Sequence, residues 1–190
     1  MAKYALLNIH RLERVFDSVS RHVIWQTLKE YGIPPKIINI IKDMYQGSKA
    51  QIIHEGNLSE SIQTRSGVRQ GCILSLTLLL MVLERTMRRV IRKRKRGIQW
   101  DINNRLEDLD FADDICLLPQ RFRDMEAKVE KLQEEVGNVG LKINSSKTKQ
   151  MRVNCDHKNK LTVNDIEIEE VDTFLYLGSV VQKQVVRKKM

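Results

Sequence analysis

Two adjacent carboxylates stand inside an apolar run, Leu109-Asp110-Phe111-Ala112-Asp113-Asp114-Ile115-Cys116-Leu117-Leu118. Apolar residues alternate on either side of Ala112-Asp113-Asp114, which predicts two strands meeting at a turn. A carboxylate buried in such surroundings is costly unless a cation or a hydrogen-bond donor compensates it. Mg²⁺ is a natural compensation, because it binds through one or two carboxylates and completes its shell with substrate phosphates. An ordinary hairpin turn with solvated aspartates fits the same residues. Taken alone, the pair leaves both readings open.

The rest of the chain predicts helices interleaved with hairpins. Apolar Val19, Val23, Ile24, Leu28 and Tyr31 fall at helical spacing from Ser18 to Tyr31, ended by Gly32 and Pro34. A second helix runs from Pro35 through Ile37, Ile38, Ile41, Met44 and Tyr45 to Gly47. Lys49–Glu55 and Leu58–Arg65 read as a hairpin joined at Gly56-Asn57. Ser75 is placed to cap a long apolar helix toward Val90, and Met125, Val129, Leu132 and Val136 form another helix stripe. Short strands are expected at 148–153, 161–163, 166–168 and 173–177, with a tight turn at Asn164-Asp165. The class is α+β, an antiparallel sheet covered by helices.

Charge narrows the partners. Lys and Arg number 33 against 24 Asp and Glu, a formal charge of +9, which favours a polyanion such as nucleic acid. The longest apolar stretch, Cys72 to Leu83, is 12 residues, short of the roughly 20 that span a bilayer. The first residues carry no apolar core with a cleavage site. Three separated cysteines support neither a disulfide framework nor a zinc site. The expectation is an intracellular protein, nuclear or cytoplasmic, with no membrane partner. The loop Ser66-Gly67-Val68-Arg69-Gln70-Gly71-Cys72, just before a helix, suits phosphate or nucleotide contact through its glycines.

These pieces together resemble the reverse transcriptases of non-LTR (LINE-type) retrotransposons, of the endonuclease/reverse transcriptase type. The matching blocks are Phe16-Asp17-Ser18-Val19, Tyr31-Gly32-Ile33-Pro34 and Gly67-Val68-Arg69-Gln70-Gly71-Cys72. Phe111-Ala112-Asp113-Asp114 follows, then Gly140-Leu141-Lys142-Ile143-Asn144 with Lys147-Thr148-Lys149, and finally Phe174-Leu175-Tyr176-Leu177-Gly178-Ser179. They stand in the family's order over residues 16–181.

The resemblance implies a polymerase palm with partial fingers over residues 1–181 and a basic tail at 182–190. It implies Mg²⁺ held by Asp113 and Asp114, two-metal transfer of a dNTP to a primer 3′-hydroxyl, and an RNA template with a DNA primer. By the same resemblance Phe16 screens the sugar 2′ position, and Gln70 and Gly71 lie beside the incoming nucleotide. Lys147 faces the departing pyrophosphate. Phe174, Tyr176, Leu177 and Gly178 belong to the hairpin that grips the primer.

One position departs from the family. Its first block reads D-x-x-K-A-F-D, and its leading aspartate bridges both metals; counting back from Asp17 places Arg11 there. An arginine cannot ligate a cation and adds positive charge at that point. Glu13 and Asp17 are displaced by roughly 7 and 20 Å along an extended strand, so neither substitutes. Ile73 and Leu76 also replace two prolines of the family's G-C-P-L-S-P. The expectation is a truncated, degenerate copy, thumb absent, with impaired polymerase activity. A non-catalytic RNA- or DNA-binding remnant is the alternative, and a product without a stable fold is a third.

Other features have plainer readings. Arg85 to Arg96 carries eight basic residues in twelve and is either a phosphate-tracking patch or a solvated helix end. Residues 3–14 read as a frayed terminus, and residues 187–189 as a solvated tail. His10, His22, His54 and His157 lack ligand spacing and read as surface or satisfied groups. Trp25 and Trp100 read as core or interface, and Cys116 as a small core residue.

Overall fold

In a computed structural model the described residues are 5–91, 97–99, 101, 104–153 and 159–183. Among them the helices are α1 (Val15–Ser18), α2 (Arg21–Glu30), α3 (Pro35–Tyr45), α4 (Ile73–Ile91) and α5 (Phe122–Asn138). The chain divides into two compact units. One is built from residues 1–13, 87–138 and 142–190, the other from residues 14–86 and 139–141.

The first unit holds a six-stranded sheet: β1 (Ala5–Glu13), β2 (Asp108–Phe111), β3 (Asp114–Leu117), β4 (Lys142–Ile143), β5 (Lys149–Val153) and β6 (Glu169–Glu170). Its order is β6-β5-β1-β3-β2, with β4 paired to the end of β1. Every pairing is antiparallel except β5 with β6. α5 lies against β1, and its buried Phe122, Met125, Val129, Leu132 and Val136 repeat at helical spacing. Ile9, Cys116 and Leu118 form a buried cluster against which Phe174 and Tyr176 pack. The α+β class is as the interleaved pattern implies.

The frayed terminus is a correction: residues 5–13 form the strand between β3 and β5. Leu6, Asn8, His10 and Leu12 alternate along β1 and are all buried. Polar Asn8 and His10 at buried positions disguised the strand's alternation. His10 is a second correction. It is fully buried, neither ring nitrogen has a hydrogen-bond partner among the described residues, and burial lowers its pKa to about 3. His22 and His54 are exposed as expected, and His157, Trp100 and Cys155 lie outside the described residues.

In the second unit α2 begins at Arg21 rather than Ser18, because Val19 is extended (ψ 132°) and separates it from α1. Pro35 opens α3 as its sequence position implies. The hairpin is interrupted: Lys49–Ala50 pairs with Ile62–Gln63, and Ile53–His54 with Asn57–Leu58. Its turn is Glu55-Gly56, one residue earlier than expected, with φ of 49° and 77°, the two left-handed residues of a type I′ turn. Asn164-Asp165 in the first unit makes the same turn where it was expected (φ 51° and 62°). Ser75 does not cap α4. The helix starts at Ile73, and the buried Ser75 hydroxyl lies 2.9 Å from the Tyr45 hydroxyl.

Of the basic run, Arg85 forms a bidentate pair with Glu30, Nη2 to Oε1 at 2.6 Å, and Arg89 an ion pair with Glu135 at 3.7 Å. Residues 92–96 lie outside the described residues. No helix among the described residues is long and apolar enough to cross a membrane.

Candidate active site

The paired aspartates sit where β2 turns into β3. Phe111 and Asp114 are register partners, so Ala112 and Asp113 are the two turn residues, with Ala112 at φ 54°. A non-glycine residue in that region costs about 1–3 kcal/mol and is held by its surroundings. The anchor is β1, where the Leu12 N–H donates to the Asp113 carbonyl at 2.9 Å.

Register also sets Arg11 of β1 opposite Asp114 of β3. The Arg11 guanidinium donates through Nε to Asp114 Oδ1 at 2.7 Å and through Nη2 to Oδ2 at 2.9 Å. This fork-to-fork geometry is the strong form of the ion pair. The hydrogen bond to Asp114 raises the Arg11 pKa, and the charges of Asp114 and Asp113 add to it, against a smaller desolvation. Arg11 therefore bonds Asp114 and feels the charge of Asp113.

This donor set does not fit a divalent metal. Both Asp114 oxygens are committed to a guanidinium, and the position opposite carries a cation in place of a ligand. Among the described residues no group of three or more His, Cys, Asp or Glu side chains is placed to hold a metal ion.

Lys147 ends a 3₁₀ turn, Ser145–Lys147, whose N-cap Asn144 accepts the Lys147 N–H on its side-chain oxygen at 3.0 Å. The Asn144 N–H donates to the Arg11 carbonyl at 2.8 Å, which ties this turn to the same end of β1. The Lys147 side chain is exposed. Strands Thr173–Tyr176 and Ser179–Gln182 make a hairpin whose turn residues, Leu177 (φ 50°) and Gly178 (φ 78°), form another type I′ turn. Phe174 and Tyr176 pack onto the sheet while Leu177 and Gly178 are exposed. The Tyr176 hydroxyl donates to the Leu109 carbonyl at 3.0 Å. Burial pushes this phenol up to about 12, helped by Cys116 and by Asp114, Asp110 and Asp108.

Sequence reasoning passed over a second carboxylate pair on β2. Burial first, then the charge and hydrogen bond of Asp110, raise Asp108 to about 6. Alternation in Leu106-Glu107-Asp108-Leu109-Asp110 was the available signal, since it puts both aspartates on one face of the strand.

The second unit brings Phe16 and Gln70 together in a cleft of about 540 Å³. The loop at 66–70 is pressed onto the Phe16-Asp17 turn. Val68 N–H donates to the Phe16 carbonyl at 2.6 Å, Gly67 N–H to the Val19 carbonyl at 2.8 Å, and Gln70 Nε2 to Asp17 Oδ1 at 3.1 Å. A Cβ on Gly67 would lie 2.4 Å from the Phe16 oxygen, so this contact admits only glycine. Gly71 (φ 81°) follows the loop with open space around it. Arg21, Lys49, Arg65 and Arg69 line the cleft against a single carboxylate, Asp17. Arg21 was missed by sequence reasoning; three of its four bonds are to backbone oxygens, which no motif spacing reveals.

Residues 3–181 match the family model described as reverse transcriptase (RNA-dependent DNA polymerase). The chain is 26% identical over 178 residues to the Pol polyprotein of the type-2 retrotransposable element R2DM of Drosophila melanogaster, covering 88% of this chain and 17% of that protein. It is 29% identical over 138 residues to the corresponding type-1 R2 polyprotein of Bradysia coprophila, covering 73% and 15% respectively. This chain thus spans about a sixth of the length of these relatives. Among solved structures, the telomerase of Candida albicans in complex with a fragment of telomeric RNA matches with a TM-score of 0.63 at 12% identity, over 94% of this chain and 29% of that one. Apo telomerase of Candida tropicalis, truncated from its C-terminal domain, matches with a TM-score of 0.58 at 13% identity, over 95% and 36%. These likenesses show a shared fold, the helix-covered antiparallel sheet of a polymerase palm.

Proposed function

Because the chain belongs to the reverse transcriptase (RNA-dependent DNA polymerase) family, in its LINE-type branch, we propose that it is the palm of an RNA-directed DNA polymerase whose chemistry is impaired at Arg11. The observation that carries this reading is the bidentate Arg11–Asp114 pair, which commits one of the two aspartates of the turn to a guanidinium. The guanidinium offsets one of the turn's two negative charges and occupies both oxygens of Asp114, which weakens the attraction of the turn for divalent cations.

The surrounding roles follow the family. Phe16 and Gln70 border the incoming dNTP in the cleft, with Phe16 screening the sugar 2′ position, and Gly71 follows at the end of the loop. Lys147 faces the pyrophosphate. Phe174, Tyr176, Leu177 and Gly178 grip a DNA primer annealed to an RNA template. A second reading, a nucleic-acid-binding remnant without chemistry, is favoured by the four cations lining the cleft, which attract phosphates whether or not a bond is made.

Primer extension on an RNA template with Mg²⁺ tests both, on the wild type and Arg11→Asp in parallel. The wild type is expected to extend nothing and Arg11→Asp to regain templated synthesis. Extension by the wild type, abolished by Asp113→Ala, overturns the impairment. Binding without extension in both proteins, weakening steeply with salt, favours the remnant.

A further inference from the structure

We propose that Arg21 is a positioning residue, the one that holds the 64–70 loop in shape around the cleft. The inference rests on the reading of that cleft as a nucleotide site.

Arg21 is the first residue of α2 and is half-buried. Its Nε donates to the Gly67 carbonyl at 3.0 Å. Nη1 donates to the carbonyls of Tyr45 at 3.1 Å and Thr64 at 3.0 Å, and Nη2 to the Thr64 hydroxyl at 3.2 Å. Three separate pieces of chain meet on one guanidinium: the end of α3, the foot of the interrupted hairpin, and the glycine loop. The Tyr45 carbonyl is among the last of its helix and has no partner within it.

The same guanidinium stacks over the Tyr45 ring, 5.1 Å from its centre, and the Tyr45 hydroxyl reaches Ser75 in α4. The loop is therefore gripped from two sides. The Phe16-Asp17 turn and Val19 take its N–H groups and Gln70, while Arg21 takes its carbonyls.

This sets Arg21 apart from the other cations of the cleft. Lys49 and Arg65 are exposed; Arg69 is exposed too but sends Nη2 to the Met44 carbonyl at 2.9 Å, a single bond, whereas Arg21 spends four on three backbone oxygens and the Thr64 hydroxyl. A lysine carries the same charge on a single atom and cannot span three carbonyls, so the fork is the working feature. Losing it takes the Arg21 donor from the buried Gly67 and leaves the Thr64 carbonyl with the long 3.5 Å contact from the Ser48 hydroxyl, so that Arg65, Arg69 and Gln70 lose part of the frame that aims them.

Arg21→Lys and Thr64→Val in the full chain separate shape from charge. Two readouts are taken: amide hydrogen exchange at Gly67 and Val68, and the affinity for dTTP without divalent metal. Arg21→Lys is expected to speed exchange at both amides about tenfold or more and to weaken dTTP binding by a similar factor. Thr64→Val removes one of the four Arg21 bonds together with the Thr64 hydroxyl's bonds to Ser48, and Ser48→Ala, which removes the Ser48 hydroxyl alone, is its control. Thr64→Val is expected to cost about threefold more than that control in each readout. Arg21→Ala is expected to recover slow exchange and affinity when methylguanidinium is added, which a general loss of stability does not allow. Unchanged exchange in Arg21→Lys, or faster exchange with unchanged affinity, overturns the proposal. A wild type that does not bind dTTP overturns the nucleotide reading of the cleft, while the exchange measurement still decides what Arg21 does.

Discussion

Arg11 and Asp114 are partners in register on adjacent strands, and their side chains close the gap with two parallel hydrogen bonds of 2.7 and 2.9 Å. The pair sets a cation against an anion at the edge of the turn that carries both aspartates.

A thermal-shift experiment reads that pairing directly. The melting temperature of the wild type is expected to be the same with Mn²⁺ and with EDTA. Arg11→Asp removes a partly exposed pair and crowds carboxylates together, so in EDTA it is expected to melt about 2–4 °C lower, for a loss of about 1 kcal/mol. Adding Mn²⁺ should then raise it, because binding to the folded state alone stabilises it. An Asp113-dependent shift of the wild type by Mn²⁺ contradicts the ion-pair account.

Acid stability should report on His10. Its folded pKa of about 3 lies below the ordinary 6.5, so the folded state binds fewer protons than the unfolded one between these values. Stability from this group is whole above pH 6.5 and falls as pH drops, by up to about 1.4 kcal/mol per unit. Urea denaturation at pH 7 and pH 5 should show this slope, and His10→Phe should flatten it.

Asp108 titrates with the opposite sign. Its folded pKa of about 6 lies above the ordinary 3.8, so stability is lost as pH rises from about 4 to 6. Asp108→Asn is expected to stabilise the chain at pH 7 by about 1 kcal/mol, solvent screening of this half-buried group holding the gain down. Equal urea midpoints for the two proteins at pH 7 would remove the Asp108–Asp110 repulsion from consideration.

Gly67→Ala should be the most damaging small substitution in the second unit. The new methyl meets the Phe16 and Asp17 carbonyls at 2.4 and 2.6 Å, at a residue with φ of 75°. A cost of about 3 kcal/mol is expected from strain and displaced backbone. Gly56→Ala, also left-handed but with open space, should cost about 1 kcal/mol, and urea midpoints compare the two.

Some of this was plain in the chain and some was hidden. The strands around Ala112-Asp113-Asp114, the α5 stripe and the Asn164-Asp165 turn were legible because local periodicity and turn chemistry agree there. β1 was hidden because it is buried on one face by polar side chains, Asn8 and His10, which write no hydrophobic alternation. Arg11 was legible as an oddity from its spacing to Asp17, but its partner was not. Which carboxylate a guanidinium takes depends on strand register, 103 residues away in sequence. Arg21 was invisible for a related reason: it reads three carbonyls, and backbone oxygens leave no mark in composition.

The tip of β1 meets the turn carrying Asp113 and the turn carrying Lys147 through two main-chain bonds, from the Leu12 N–H and to the Arg11 carbonyl. Neither bond depends on which side chain residue 11 bears. The backbone frame of the two turns is thus indifferent to the side chain at position 11, so exchanging that residue tests the chemistry of the site with its main-chain architecture kept.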